Sequence, residues 1–288
     1  MDEPLPQSDR RVEDVQGHWV LARLGKRVLR PGGKALTHAM LDAAELRGAD
    51  VVEFAPGLGR TAADIVARQP RSYVGVDADP HAAARVSTIV ASIGTCINAN
   101  AAETGLDDGC ADVVVGEAML TMQTERGKNA IIAEAVRMLR PGGRYAIHEL
   151  GLQPDTIDPE IATEIRKALA RSIKINARPL TMHEWRELLT DAGLEVEETR
   201  TAPMALLQMR RNIADEGIAG VAKILWNLLR MPAARKRVLA MRRTFTTHKE
   251  SLIAVALVAR KPLATENRPL ATEHKSFTTE QETEEHHD

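Results

Sequence analysis

The sequence lacks the usual features of secreted, metal-binding and membrane-spanning proteins. Its two cysteines, Cys96 and Cys110, are too few for a disulfide framework and do not form a Cys-x-x-Cys motif, so we predict no metal site. No apolar run approaches the roughly 20 residues that a membrane-spanning helix needs. The first residues are acidic and lack the apolar core of a signal peptide. We therefore expect a cytoplasmic protein.

A strong excess of either charge is also missing. The 288 residues have a net charge of −2, so no overall field attracts the chain to nucleic acid. The charge is nevertheless uneven, because residues 201–250 contain ten Lys or Arg and only three acids. Residues 262–288 contain seven acids and two bases, with few apolar side chains. Such a composition is typical of a disordered tail.

Short apolar segments alternate with helical patterns between residues 51 and 150. This alternation predicts parallel strands covered by helices on both faces, which is a doubly wound, Rossmann-like α/β fold. Two more β-rich segments would complete the sheet, with a helical insertion at about 205–243 before the last strand, and two helices would precede the sheet. The predicted strands are 51–55, 73–77, 94–98, 112–117, 144–150, 194–201 and 252–260, and the N-terminal helices are 18–29 and 34–46.

The predicted domain organisation follows from these patterns. Residues 1–16 are polar and are expected to be a flexible N-terminus. Residues 17–261 would form one domain that includes the insertion. Residues 262–288 would form the disordered acidic tail, in which a seven-residue segment is duplicated in tandem.

A glycine-bearing turn follows the first predicted strand and leads into a helix. Gly57 and Gly59 allow positive φ angles and close approach of a ligand, and the helix directs free N–H groups towards it. The turn therefore predicts a site for part of a nucleotide-like cofactor. Its spacing fits the dinucleotide fingerprint Gly-x-Gly-x-x-Ala, with Asp77 at the position of a ribose-binding acid, so an NAD(P)-dependent oxidoreductase is one interpretation. No Tyr-x-x-x-Lys motif for hydride transfer supports it.

Five motifs in order resemble those of the class I S-adenosylmethionine-dependent methyltransferases, over about residues 34–261. The closest likeness is to the small-molecule branch (methyltransferase type 11) that includes the ubiquinone and menaquinone methyltransferases. Two positions depart from the family pattern, because Ala55 replaces a glycine and Asn100 replaces a commoner aspartate. The motifs are Glu53-x-Ala55-x-Gly57-x-Gly59, Gly75-Val76-Asp77, residues 100–112, Leu139-Arg140-Pro141-Gly142-Gly143 and residues 180–193.

The resemblance implies a transferase that uses S-adenosylmethionine, with a seven-stranded sheet in the order 3-2-1-4-5-7-6. It places Glu53 and the backbone of Ala55, Pro56, Gly57 and Gly59 at the methionine part of the cofactor. It also places Asp77 at the ribose, Asn100 and Ala101 at the adenine, and Glu117 where methyl donor and acceptor meet. The motifs of enzymes that methylate nucleic-acid bases, Asn-Pro-Pro-Tyr and Pro-Cys, are missing, so the expected acceptor is a small molecule and not a nucleic acid.

The catalytic group is not determined by these motifs. Glu117, His148 and Glu149 are candidates because they lie at carboxyl ends of strands, where ligands bind in such sheets. His148 and Glu149 alternate, so at most one can face the pocket. The apolar residues of the insertion are expected to be core. Alternatively they line a pocket for a quinone- or lipid-like acceptor, with basic residues at an anionic group or a membrane surface. A non-catalytic cofactor- or membrane-binding module of the same fold is a further alternative.

Overall fold

The computed structural model describes residues 11–26, 30–204 and 209–263. Residues 1–10 and 264–288 lie outside the described part, and so do most of the predicted flexible N-terminus and acidic tail. Within the described part, no helix is long and apolar enough to cross a membrane.

The sheet has the order β3-β2-β1-β4-β5-β8-β7, and a two-residue strand, β6, pairs with β5. Without β6 this is the predicted order 3-2-1-4-5-7-6, which is confirmed. β8 runs antiparallel to both β5 and β7. β6 was not predicted, because two residues are too short for a periodic pattern. The strands are β1 Asp50–Phe54, β2 Ser72–Asp77, β3 Gly94–Asn98, β4 Ala111–Glu117, β5 Leu139–Leu152, β6 Leu180–Thr181, β7 Glu195–Pro203 and β8 Leu252–Arg260.

Helices cover the sheet, and several begin at the caps that the sequence indicates. The Thr124 hydroxyl accepts a hydrogen bond from the Gly127 N–H, and Thr181 with Glu184 forms a capping box. The helices are α1 Gly17–Arg23, α2 Gly33–Ala43, α3 Arg60–Val66, α4 Pro80–Val90, α5 Glu125–Met138, α6 Pro159–Ile173, α7 Met182–Asp191, α8 Met209–Arg230 and α9 Pro232–Thr247, and a 3-10 turn spans Leu120–Met122. α1 is shorter than predicted because Gly25, with φ +96°, follows it.

Both faces of the central strands β1, β4 and β5 are largely buried, as is typical of parallel strands, whereas the edge strand β7 is mostly exposed. Val52 and Phe54 of β1 point into a core shared with α5 and α7. Val51 points into a second core shared with α2, α3 and α4. Because β1 is parallel to both β2 and β4, the carboxyl ends of these three strands lie at the same edge of the sheet.

Helices α1, α8 and α9 pack together beside this edge. Val20, Leu24 and Ala234 are buried between them. The Asn227 side chain donates to the Leu24 carbonyl at 3.1 Å, and Arg237 donates to the Val12 carbonyl at 2.8 Å. These contacts attach the insertion to the N-terminal helix.

The expectation that the apolar residues of the insertion are core is wrong for three of them. Leu225, Trp226 and Leu229 are 45%, 54% and 67% exposed. α8 turns its other side, with Ile224 and Leu228, towards the α1 cluster, so these three remain in contact with solvent. Met241 of α9 is 1% exposed and is core, as expected.

Candidate active site

A cleft of about 530 Å³ lies at the carboxyl ends of β1, β2 and β4, beside α1. Its size is within the range of small-molecule and cofactor sites. All nine residues expected at the cofactor line it or lie in the turn that forms its floor. The lining includes Trp19, Arg30, Glu53, Ala55, Pro56, Gly57, Thr61, Asp77, Asn100, Ala101, Glu117, Met119 and Met122.

The turn after β1 has three residues in the left-handed region. Ala55, Gly57 and Gly59 have φ angles of +50°, +55° and +73°. A Cβ on Gly57 would meet nothing closer than 3.9 Å, so its backbone angle, not crowding, favours glycine. A Cβ on Gly59 would lie 2.4 Å from Ile89 Cδ1, the end of an exposed side chain that can shift, so the backbone angle is again the main reason for glycine. The φ angle of Ala55 explains why this position is a glycine elsewhere in the family pattern.

Asp77 joins the end of β2 to this turn. Its carboxylate accepts hydrogen bonds from the Gly57 N–H at 3.0 Å and the Asp79 N–H at 2.9 Å. Burial raises the pKa of Asp77, although both backbone hydrogen bonds oppose this shift. Each carboxylate oxygen can accept more than one hydrogen bond, so Asp77 retains the capacity to bind two hydroxyl groups of a ligand.

Asn100 follows β3 at the far end of the cleft. Its amide oxygen accepts a hydrogen bond from the Ala102 N–H at 2.9 Å, which fixes the side chain beside the buried Ala101. A carbonyl oxygen has a second lone pair. The side chain can therefore still accept a hydrogen bond from an amino group in the cleft.

Glu53 is an acid with little access to water, being 2% exposed. It accepts a hydrogen bond of 2.6 Å from the Tyr73 hydroxyl. Burial raises the pKa of Glu53 to about 8, and the negative charges of Glu117 and Asp77 act in the same direction. The surroundings of Glu53 therefore favour its protonated form at neutral pH.

Glu117, at the end of β4, is the centre of a buried polar network. Its carboxylate accepts hydrogen bonds from the Arg30 guanidinium at 2.9 Å and from the hydroxyl groups of Thr37 and Thr61. His148 Nδ1 lies 2.7 Å from the same carboxylate. Burial alone would raise the pKa of Glu117, but the charge of Arg30 and the hydrogen bond with His148 lower it to about 2. Glu117 is thus a fixed anion with its oxygens occupied.

Arg30 was not identified as a site residue from the sequence, where it only precedes the Pro-Gly-Gly that stops a helix. The structure places its guanidinium against Glu117 and, at 3.2 Å, against Asp64 of α3. The signal that could have found it is a basic residue directly before the Pro31-Gly32-Gly33 turn, but only the fold brings it to the end of β4.

His148 and Glu149 lie on opposite sides of β5, as their alternation predicts. His148 is fully buried and joins the Glu117 network. Glu149 accepts hydrogen bonds from the N–H groups of Met119, Leu120 and Thr121, and from the Thr121 hydroxyl at 2.6 Å. Burial raises the pKa of Glu149. This carboxylate holds the 3-10 turn after β4.

A smaller, apolar cavity of about 90 Å³ adjoins the cleft. The two share His18, Ala118, Met122 and Ile175 in their linings. The cavity lies between α1, α6 and α9, so the insertion forms part of its wall. Its apolar lining consists of Leu21, Pro31, Leu150, Ile173, Ala177, Met204, Met241 and Phe245.

The charges of the cleft distinguish between possible cofactors. Three acids, Glu53, Asp77 and Glu117, line it together with two arginines, of which Arg30 is paired with Glu117 and Asp64 and Arg60 begins α3. A dinucleotide pyrophosphate beside the turn would meet the carboxyl groups of Glu53 and Asp77. A ligand with an ammonium or sulfonium group would instead be attracted to them. The residues present therefore fit a cationic nucleoside cofactor.

Comparisons with known proteins identify relatives. A family model described as a methyltransferase domain matches residues 52–147. An uncharacterised protein of Haemophilus influenzae is 32% identical over 256 residues, which are 87% of this chain and all of that protein. A protein of Mycolicibacterium smegmatis named "Probable S-adenosylmethionine-dependent methyltransferase" is 32% identical over 154 residues, covering 53% of this chain and 54% of that protein.

Solved structures share the fold at low identity. The [4+2]-cyclase SpnF superposes with a TM-score of 0.61 at 16% identity, over 80% of each chain. Phosphoethanolamine N-methyltransferase 2 of Haemonchus contortus, solved with S-adenosyl-L-methionine, gives 0.62 at 16% identity, over 85% of this chain and 57% of that one. Because a cyclase and a methyltransferase both have this fold, the fold alone does not determine the chemistry.

Proposed function

This chain belongs to the class I S-adenosylmethionine-dependent methyltransferases, and we propose that it methylates a small, apolar molecule. The observation that carries the proposal is the apolar cavity that opens into the cofactor cleft. Methyl transfer is an in-line displacement, and aligning donor and acceptor in a dry site can remove about 7–11 kcal/mol of its barrier.

The residues of the cleft fit the parts of S-adenosylmethionine. In this proposal Glu53 and the backbone of the turn from Ala55 to Gly59 face the methionine part. Asp77 binds the ribose hydroxyls with its free acceptor capacity, and Asn100 with Ala101 holds the adenine. When bound, the cofactor supplies the methyl group as a good electrophile, and the protein aligns the acceptor with it.

The acceptor would extend from the cleft into the apolar cavity, because the cavity volume of about 90 Å³ is smaller than the roughly 150 Å³ of an engineered cavity that binds benzene. The lining of the apolar cavity offers thioether, aliphatic and aromatic side chains, among them Met204, Met241 and Phe245. A charged acceptor would need a paired counter-ion there, and Glu149, the only charged side chain among the described residues of that lining, is already satisfied by four hydrogen bonds. A quinone- or lipid-like molecule would meet these conditions.

Calorimetric titration with S-adenosylhomocysteine tests the cofactor. We expect binding that Asp77→Ala weakens about 100-fold, because hydrogen bonds to a charged group contribute about 1.5–3 kcal/mol each. Asp77→Asn, which preserves shape, should weaken it less, and Asp42→Ala, an exposed acid of α2, should have no effect. Tight binding of NADH with no binding of S-adenosylhomocysteine would overturn the proposal in favour of an oxidoreductase.

We also propose that the outer surface of α8 and α9 contacts an anionic membrane. Ile218, Leu225, Trp226 and Leu229 form an exposed apolar stripe on α8, and the Arg230 guanidinium lies 4.2 Å from the Trp226 ring centre. Residues 217–250 contain eight Lys or Arg and one acid. This combination is typical of helices that lie in a lipid interface. A second copy of the same surface would place like charges against each other.

Sedimentation with lipid vesicles tests this contact. The full chain should bind vesicles containing phosphatidylglycerol, and Leu225→Ser with Leu229→Ser should abolish the binding, whereas Ile161→Ser, an exposed apolar residue of α6, should not. Equal binding by all variants, or salt-insensitive binding to neutral vesicles, would contradict it. If the protein binds vesicles only after removal of residues 264–288, the acidic tail binds the outer surface of α8 and α9 in place of the membrane.

The cytoplasm is the compartment that we propose. Cys96 and Cys110 are both free thiols, which fits a reducing environment.

A further inference from the structure

The methyl acceptor needs a group that takes up its proton, and the three residues expected for this role have no free acceptor atom at the cavity. Glu117 is ion-paired with Arg30 and hydrogen-bonded to two threonines and His148. His148 is fully buried and lines neither the cleft nor the cavity. Glu149 borders the cavity, but four donors already occupy its oxygens.

His18 of α1 has the properties that these residues lack. It lines both the cofactor cleft and the apolar cavity, so it lies where methyl donor and acceptor meet. Its ring makes an aromatic contact with Trp19, with ring centres 4.7 Å apart. Within the described residues, neither of its ring nitrogens takes part in a hydrogen bond. One nitrogen of a neutral imidazole is a free acceptor.

The protonation state of His18 agrees with this geometry. Burial lowers the pKa of His18 to about 4. The imidazole is therefore neutral at physiological pH, with a lone pair available on one ring nitrogen.

We propose that His18 is a catalytic residue that accepts the proton of a hydroxyl group on an apolar acceptor bound in the cavity. This inference rests on the proposed methyltransferase function. In the reaction the acceptor oxygen forms a bond with the methyl carbon while the carbon–sulfur bond breaks. The hydroxyl proton passes to the His18 nitrogen, and the products are a methyl ether, the neutral thioether and an imidazolium ion.

The lining favours a hydroxyl group over other nucleophiles. A hydroxyl has one donor, which matches the one acceptor that His18 provides. An amine would bring further N–H groups into a cavity whose other walls are mostly apolar, and an unsatisfied buried donor is costly. A carboxylate or phosphate would need a cationic partner, and no Lys or Arg lines the cavity among the residues that the structure describes. The favoured class of acceptor is therefore an apolar phenol or alcohol.

A matched set of small probes tests the inference. The probes are 4-propylphenol, its methyl ether and propylbenzene, which differ only at the oxygen. Their affinities are measured by saturation-transfer NMR and calorimetry with protein saturated with S-adenosylhomocysteine. We expect the phenol to bind at least tenfold more tightly than propylbenzene. His18→Leu should remove this preference and His18→Asn should retain part of it, with each variant saturated with S-adenosylhomocysteine according to its own measured affinity.

Methylation gives the second readout. With S-adenosylmethionine, formation of the methyl ether is followed by mass spectrometry, and kcat should fall about 100-fold in His18→Leu with a smaller change in KM, because general bases typically contribute about 10²–10⁴. His183→Leu, an exposed histidine of α7, is the control.

The failures are distinguishable. If S-adenosylhomocysteine does not bind, the methyltransferase proposal itself fails. If it binds but the phenol shows no advantage over propylbenzene, or His18→Leu keeps that advantage, the assignment of His18 is overturned and the methyltransferase proposal stands.

Discussion

Glu53 should couple cofactor binding to the release of a proton. In the ligand-free protein its pKa is raised from 4.5 to about 8, chiefly by burial. At pH 7 the carboxyl group is therefore about nine-tenths protonated. A ligand ammonium group beside it favours the carboxylate, as any nearby positive charge does. Binding of S-adenosylhomocysteine at pH 7 should then release up to about 0.9 proton from Glu53.

Two consequences have opposite signs. Ligand affinity should increase with pH, by up to about tenfold per pH unit between pH 5 and pH 8. The stability of the ligand-free protein should change the other way, because a raised pKa stabilises the fold only while Glu53 is protonated. This contribution is complete below pH 4.5 and is lost as the pH rises through about 8, with an upper bound of about 5 kcal/mol at 1.36 kcal/mol per pKa unit.

Calorimetry in phosphate, HEPES and Tris buffers at pH 7 measures the released proton as the slope of binding enthalpy against buffer ionisation enthalpy. Glu53→Gln should reduce this slope by about 0.9 relative to the natural protein, and the comparison cancels any titration of the ligand's own amino group. Glu187→Gln, an exposed acid of α7, is the control. Identical slopes for the natural protein and Glu53→Gln would refute the reasoning. So would an equal change in ligand affinity between pH 6 and pH 8 in the two proteins.

Three further substitutions test the polar network and the turn. Glu117→Gln should lower the free energy of unfolding by about 3–5 kcal/mol at pH 7, because it leaves the buried Arg30 charge with a weaker partner. Because the pKa of Glu117 is lowered to about 2, this difference in stability should be complete above pH 4.5 and disappear as the pH falls through 2. Urea unfolding of both proteins across this pH range measures the difference. A difference that does not change with pH would contradict the prediction. Ala55→Gly should relieve about 1 kcal/mol of left-handed strain but raise the entropy of the unfolded chain by a similar amount, so the melting temperature should change little. Ala55→Val should instead lower it clearly, and an equal effect of both substitutions would show that φ is not the constraint.

The periodicity of the sequence was sufficient to predict the fold class. Strict alternation of short apolar strands and helices places both faces of the sheet in contact with helices, and this pattern is local. The alternation of strands and helices was accordingly predicted correctly, whereas the order of the strands was an implication of the family resemblance and is confirmed. The glycine-bearing turn could also be predicted, because the φ angles of Gly57 and Gly59 depend on residue type.

The neighbours of each site residue depended on contacts between distant parts of the chain. Arg30 meets Glu117 across 87 residues, and His18 reaches the wall shared with Met241 only because α1 packs against α9. The exposure of Leu225, Trp226 and Leu229 likewise depends on which side of α8 meets α1.

Sequence by itself therefore determined the family, the architecture and the position of the cofactor turn, since these follow from short-range spacing and backbone preference. Tertiary structure alone decided which acids are protonated, which are held as anions and which wall the acceptor would meet. The physical reason is that burial and charge pairing control pKa and polarity, and both arise from residues brought together by packing rather than by spacing.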